Sequence, residues 1–360
     1  MVLEIVLLLA LLFFLINIFI VFILKKNPVT RPDSQNRLNF SIIIAAKNEE
    51  LNIPSIIKSL QKLDYPEENF EVIIVDDNSS DNTYNVAKGL IQNISNFYVM
   101  KVGDKEFPAK KGALSFGIKK AHNPFILITD ADCRPQEDWL KFYLEKFQDG
   151  YDFIFGHAPF YQNNSIVNKI SCFENLRSAL LIFFTSKTGI TYSASARNFG
   201  FKKLSFEKIK GYSNTSETLS GDDDLLLREA VKNKLRIDSI LNRRSFVYSK
   251  TKAILSDYFN QRARHTKTSF YYLPGRQFFL SSWHLLNLFF LFSPILVIFN
   301  KLFLFLFFIK LLIDSITIKS LQKNFGYRFS ILEILYLQVI YELFLIVHFI
   351  NALFKKDKWK

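Results

Sequence analysis

Two aspartates one residue apart, Asp130 and Asp132, stand directly after the apolar run Phe125 to Thr129, in a chain of formal net charge +13. Side chains of an extended segment alternate faces, so the two carboxylates point one way and Ala131 the other. Such a pair can present oxygens to one hard divalent cation. Magnesium or manganese suits it, because either takes few protein carboxylates and completes its shell with water and substrate phosphates. A phosphorylated substrate is therefore expected. Solvated loop acids are the ordinary reading of a D-x-D, and its place after a strand is what sets this one apart. Asp76 and Asp77 follow Glu71 to Val75 in the same way. A third group, Asp222, Asp223 and Asp224, opens a helical pattern, where acids also favour the helix dipole. Three adjacent like charges raise one another's pKa, which suits a general base.

The elements that must position these acids are legible as alternation. Phe40 to Ala45, Glu71 to Val75, Phe97 to Val102, Phe125 to Thr129 and Asp152 to Phe155 read as strands, each separated by enough chain for a helix. Pro54 and Pro135 stand where helices are expected to begin, a position at which proline's missing N–H costs nothing. The pattern implies an α/β domain with a mostly parallel sheet covered by helices on both faces. In such sheets ligands bind beyond the carboxyl ends of the strands, so both strand-end acid pairs converge on one crevice. Asp76, Asn78 and Ser80 have a calcium-loop spacing, but the glycine and terminal glutamate of an EF-hand are missing and a strand precedes them.

Taken in order, SIIIAAKNEE (41–50), VIIVDDNSSDNT (72–83), PAKKGALSFGI (108–118), LITDADCRP (127–135), SGDDDLLLREA (220–230) and QRARH (261–265) resemble the membrane-bound family 2 glycosyltransferases, the group that includes the cellulose and hyaluronan synthases. The resemblance implies a GT-A nucleotide-sugar fold. In it Asp77 or Asp76 binds the uracil of a UDP-sugar, and Ala46, Asn48 and Glu49 line the nucleotide pocket. Lys111 approaches the nucleotide, and Asp130 and Asp132 hold Mg2+ or Mn2+, with Asp132 the more direct ligand. Gln261, Arg262, Ala263, Arg264 and His265 stand where the polymerising synthases have Q-x-x-R-W, the arginines being suited to clamp phosphates. Two registers fit the acid run. Alignment on G-D-D makes Asp223 the base, which is the expectation adopted, whereas anchoring on Asp224, Leu225 and Arg228 makes it Asp222. His265 replaces the tryptophan of the polymerising synthases, which argues against processive synthesis.

The two ends of the chain read as membrane. Val2 to Leu24 is an apolar run longer than the roughly 20 residues that cross a bilayer core, without the basic n-region or small-residue cleavage site of a signal peptide. Lys25, Lys26, Arg31 and Arg37 follow it, so the positive-inside rule places the acids in the cytoplasm of what is expected to be an integral protein of the bacterial inner membrane. Phe278 to Phe299, Leu302 to Ile318 and Phe329 to Phe354 supply two or three further spans, a count that Lys355, Lys356, Lys358 and Lys360 leave open. The expected organisation is an anchor (1–25), the GT-A domain (38–245), an interfacial helical segment with QRARH (246–277) and a transmembrane region (278–354). Cys133 and Cys172 suggest neither disulfide nor zinc. The positive charge gathers beside the membrane segments without a nucleic-acid motif, so membrane lipid is the expected partner and nucleic acid is not. Together these features lead to an inverting, metal-dependent transferase taking a sugar from a UDP-sugar to a lipid-linked or polysaccharide acceptor. A processive polysaccharide synthase and a catalytically inactive GT-A membrane scaffold are the alternatives.

Overall fold

The computed structural model describes residues 2–25 and 37–354. Lys26 and Arg31, and the lysines at 355, 356, 358 and 360, on which part of the orientation reading rests, lie outside them. The described residues divide into a helical unit (2–25, 162–190, 251–354) and a sheet unit (37–161, 191–250).

Seven strands build the main sheet of the second unit: β1 (Phe40–Ala46), β2 (Phe70–Asp76), β3 (Phe97–Lys101), β4 (Phe125–Ile128), β6 (Phe153–Gly156), β7 (Phe199–Lys202) and β8 (Ile237–Ile240). Their order is β3-β2-β1-β4-β7-β6-β8. All neighbours are parallel except β7, which runs antiparallel to both β4 and β6. Every residue of β2 and all but Ala45 of β1 are buried, as expected for strands covered on both faces. Chain order reverses between β1 and β4, and a crevice opens at such a switch point. The Ala109–Lys120 helix packs close to this centre at Gly117. A Cβ there would lie 2.6 Å from the Ile43 Cγ2 atom and 3.0 Å from Val75 Cγ2, so a side chain would push the helix off the sheet.

A second, two-stranded sheet pairs β5 (Cys133–Pro135) with β9 (Val247–Ser249). Pro54 lies in the first turn of the Ile53–Leu60 helix as expected. Pro135 does not open a helix: it ends β5, and the next helix begins at Trp139. A proline suits the end of a short edge strand, where its missing N–H interrupts no ladder.

The helical unit contains Val2–Lys25, Ile166–Lys187, Leu255–Ser269, Pro274–Phe292, Leu302–Leu321 and Ile331–Phe354. Among the described residues three segments are long and apolar enough to cross a membrane: Leu3–Lys25, Pro274–Ile298 and Ile331–Phe354. Leu3, Leu7, Leu11 and Leu15 of the first are exposed, while Phe13 on another side stacks between Trp283 and Phe290. An exposed apolar face of this kind is what lipid replaces water against. The Ile166–Lys187 helix, within the span expected to be catalytic, belongs to this unit.

Candidate active site

The carboxyl ends of β1, β2 and β4 bring the sequence-predicted acids of the sheet unit to one edge. Asp76 ends β2, Asp77 follows, and the Asp77 N–H donates to Ala46 O at 2.7 Å, closing the end of β1 on the end of β2. Asn48, with φ of 55°, and Asn78, with φ of 54°, take the left-handed turns that asparagine tolerates. The Asn48 Oδ1 atom accepts from Ser80 N at 2.8 Å, and the Glu49 N–H donates to Thr83 Oγ1 at 2.8 Å. Asn48 and Glu49 therefore stitch the two strand-end loops together.

Asp76 and Asp77 are buried, and neither Asp76 Oδ1 nor Asp77 Oδ2 accepts a hydrogen bond among the described residues. The other Asp77 oxygen pairs with Lys105. A buried acceptor without a donor costs about 1–3 kcal/mol, so these oxygens suit a ligand that brings N–H groups.

Asp130 and Asp132 follow β4, and their oxygens lie with Cys133 Sγ inside one 4.8 Å cluster. Burial, and then the charge of Asp132, push the Cys133 thiol well up, so it stays protonated and donates to Asp132 Oδ1 at 3.6 Å. With the thiol excluded, two carboxylates remain, a donor set that fits a hard cation such as Mg2+ or Mn2+. Burial and the neighbouring Asp130 raise the Asp132 carboxyl, and Arg197 opposes them. A bound cation would favour its charged form.

Opposite stands Lys110, whose Nζ lies 2.7 Å from Asp130 Oδ1 and 2.6 Å from Asp222 Oδ2. It joins the D-x-D to the SGDDD acids across 92 residues of chain. The neighbouring Lys111 turns away, donating to the buried carbonyls of Thr215 and Thr218. One step along a helix rotates a side chain by about 100°, so Lys110 and not Lys111 faces the acids.

The three acids of SGDDD have three environments. Asp224 is buried and accepts from Ser193 Oγ at 2.6 Å and Ala194 N at 3.1 Å. Asp223 caps the Asp224–Lys232 helix, accepting from Asp224 N at 2.7 Å, and its other oxygen accepts from Ala196 N, also at 2.7 Å. Burial, followed by the charges of Asp224 and Asp222, raises its carboxyl well above the ordinary range. Asp222 bonds only Lys110 among the described residues. Arg228 fixes the loop before them through Glu217 Oε1 at 2.7 Å and Asn214 O at 2.6 Å.

Residues 41–209 match the model of the family described as Glycosyl transferase family 2. The chain carries a family 2 glycosyltransferase domain. A dolichyl N-acetyl-alpha-D-glucosaminyl phosphate 3-beta-D-2,3-diacetamido-2,3-dideoxy-beta-D-glucuronosyltransferase of Methanococcus voltae is 35% identical over 154 residues, 42% of this chain and 46% of that protein. A beta-monoglucosyldiacylglycerol synthase of Trichormus variabilis is 34% identical over 117 residues, 32% of this chain and 25% of its own. The chain thus spans less than half the length of these two relatives. A mannosyltransferase of Pyrobaculum calidifontis, solved with GDP-Man and Mn2+, is only 16% identical. It superimposes with a TM-score of 0.63 over 97% of this chain and 96% of its own, which shows a shared GT-A fold.

The sheet unit holds the acids and Lys110, whereas QRARH lies on the Leu255–Ser269 helix of the helical unit. There Arg262 Nε pairs with Glu174 Oε1 at 2.6 Å, and Glu174 also accepts from the Tyr258 hydroxyl. Burial works against the Arg262 charge, but Glu174 outweighs it and raises the guanidinium pKa. Ala263 is buried beside it and His265 is exposed. Two residues that sequence reasoning passed over stand in the glycosyltransferase domain's site, Lys110 and Arg197. The signal for Lys110 was present, since it lies within PAKKGALSFGI, where its neighbour Lys111 was singled out.

Proposed function

We propose that this protein is an inverting, metal-dependent glycosyltransferase that moves a sugar from a nucleotide-sugar, a UDP-sugar in the first instance, to a lipid-linked or polysaccharide acceptor at the cytoplasmic face of the membrane. The observation that carries this reading is Lys110 held between Asp130 and Asp222, a cation set between a candidate metal ligand and a candidate base.

A divalent ion bound by Asp130 and Asp132 would act as a Lewis acid on the diphosphate leaving group. The protein's own contribution is placement. A partnerless oxygen of Asp76 or Asp77 receives the single N–H of the uracil, and Lys110 offers a preorganised positive charge where the departing diphosphate gains negative charge. Asp222 is the better supported base. Both Asp223 oxygens already accept backbone N–H groups, whereas Asp222 Oδ1 accepts nothing among the described residues and is left to take the acceptor's proton. Asp223 then serves as the helix cap that aims Asp222.

The lipid-linked acceptor is supported by three helices able to span a membrane and by relatives whose names state a dolichyl-phosphate-linked sugar and a glucosyldiacylglycerol. The test is nucleoside-diphosphate release by the full chain in lipid nanodiscs with Mn2+ or Mg2+, across UDP-, GDP- and TDP-sugars, with extracted membrane lipid as acceptor. One donor should turn over, and Asp132→Asn should lower its rate about 10²–10³-fold with folding intact. Equal turnover in that variant would sink the metal-dependent mechanism, and silence with every donor would leave the scaffold alternative.

A further inference from the structure

The segment TYSASARNFG forms one wall of the site, and its Arg197 is held in an unusual way for a half-buried cation. The Arg197 carbonyl accepts from Thr129 Oγ1 at 2.8 Å, at the end of β4 just before the D-x-D. The adjacent Ala196 N–H is the donor to Asp223 Oδ2. Residues 196 and 197 therefore tie the D-x-D strand end to the acid run that includes the candidate base. The guanidinium is oriented by neutral groups: Nη1 donates to Ser249 Oγ at 2.6 Å, and the Arg197 Cζ atom lies 4.5 Å from the centre of the Phe160 ring.

Among the described residues Arg197 forms no ion pair with a carboxylate. Arg228 and Arg244 of the same unit are each tied to an acid, at 2.7 Å from Glu217 and 2.5 Å from Asp138. Arg197 has Asp132 as a charged neighbour without closing onto it. Its remaining N–H donors are thus not taken up by a carboxylate among the described residues, beside the D-x-D acid Asp132 and one residue from the backbone N–H that holds Asp223. Arginine's planar fork matches an oxyanion with two parallel hydrogen bonds.

We propose that Arg197 is an acceptor-binding residue that receives an oxyanion, a phosphate group carried by the acceptor close to the oxygen that attacks the sugar. The proposal rests on the transferase reading for the word acceptor, but the anion site itself does not. A donor-side role fits less well, because Lys110 and Lys105 already stand with the acids on the nucleotide side, and the N–H of the adjacent Ala196 is bonded to the acid run that includes the candidate base.

The experiment uses the full chain in phosphatidylcholine nanodiscs, with Arg197→Gln and Arg197→Lys beside the native protein. Calorimetry measures UDP binding and, separately, inorganic phosphate binding. Transfer to extracted membrane lipid is followed against acceptor concentration, with inorganic phosphate or nanodiscs doped with phosphatidic acid as competitors. Arg197→Gln should raise the acceptor KM roughly 10- to 100-fold with kcat and UDP affinity within a few-fold of native. Arg197→Lys should recover part of the loss, and competition by phosphate should vanish in Arg197→Gln. Competition by the doped nanodiscs alone identifies a lipid headgroup as the source; competition by free phosphate identifies a soluble anion.

An unchanged acceptor KM, competition by neither probe, or a fall in UDP affinity matching the fall in acceptor binding would each overturn the proposal. If no donor turns over yet phosphate binding still depends on Arg197, the anion site stands and the transferase reading falls.

Discussion

Each unit of the molecule holds a lysine between two carboxylates, and the two clusters differ in what is left over. In the helical unit Lys310 is fully buried and donates to Asn287 Oδ1 at 2.8 Å, Asp314 Oδ2 at 2.7 Å and Glu342 Oε1 at 3.1 Å. Arg177 adds a second cation, 3.2 Å from Asp314 and 3.6 Å from Glu342. All three ammonium protons of Lys310 are used, and two cations face two anions. In the glycosyltransferase domain Lys110 meets two carboxylates at similar distances, but both acids are partly exposed, with side-chain exposures of 31% for Asp130 and 13% for Asp222. One cluster is closed and charge-balanced, with Glu342 Oε2 left without a hydrogen-bond partner among the described residues; the other stands at an open edge. An ionisable residue within an apolar helix is read by default as functional, yet here the buried, charge-balanced cluster is the structural one. Access at an open edge, more than the presence of charge, marks the chemical site.

The contrast predicts opposite outcomes for similar mutations. Asp222→Asn should lower the rate of nucleoside-diphosphate release by about 10²–10⁴-fold, the range for loss of a general base, while thermal stability stays near native. Asp223→Asn should chiefly lower stability, by about 1 kcal/mol, because it weakens a helix cap. A larger rate loss in Asp223→Asn than in Asp222→Asn would return the base to Asp223. Lys310→Met should do the reverse of Asp222→Asn. Breaking the buried pair leaves two buried carboxylates to Arg177 alone and costs about 3–5 kcal/mol, visible as a lowered unfolding temperature in detergent, with UDP affinity retained as long as the glycosyltransferase domain stays folded. Undiminished stability would show that the helical cluster is not the buried lock its geometry describes.

How much of this was legible in the sequence depended on length and spacing. β1, β2, β3, β4 and β6 were visible as apolar runs, and the structure moves their ends by only a residue or so. β7, β8 and β9 were not, because FGFK, IDSI and VYS are too short to show a period. That β7 runs antiparallel was hidden as well, since strand direction leaves no composition signal. The acids at 76–77, 130–132 and 222–224 were legible because a strand end or helix start frames each. Lys110 was passed over for Lys111 because two adjacent lysines look alike until helix rotation separates them. Arg197 was hidden because its partners, Ser249 and Phe160, are far along the chain and neutral.

The lysine pair sharpens the comparison at a finer scale. Lys110→Met should slow transfer roughly 10- to 100-fold, the size of a lost charge-assisted hydrogen bond, with little change in stability. Lys111→Met should instead strand the Thr215 and Thr218 carbonyls and cost about 1–3 kcal/mol of folding free energy. Burial holds the Lys111 pKa below its usual value against the pull of Asp222 and Glu217, so a methionine of similar volume isolates the hydrogen bonds from the packing. Equal kinetic losses in both variants would mean that the helix, and not the individual ammonium, is what the site requires.

The smallest expected effect tests whether a buried, multiply bonded carboxylate in the glycosyltransferase domain itself behaves as those of the helical unit do. Glu71, on β2 but at the end of the sheet away from the acids, accepts from Ser41 Oγ at 2.5 Å and from His122 N at 2.7 Å, and its other oxygen lies 2.8 Å from His122 Nδ1. Burial pushes the Glu71 carboxyl up, but the bonds from His122 and Ser41 outweigh burial and hold it below its ordinary value of 4.5. A carboxyl lowered in the folded state contributes stability that is fully present above its unfolded value and is lost as pH falls through the folded one. Glu71→Gln should therefore cost about 1–2 kcal/mol near neutral pH, with the gap to native narrowing as the solution is acidified below pH 4.5, while relative transfer rates near neutral pH remain unchanged. A gap in stability that stays constant from pH 7 to pH 3 would mean that packing around Glu71, and not its charge, holds the edge of β1 to β2.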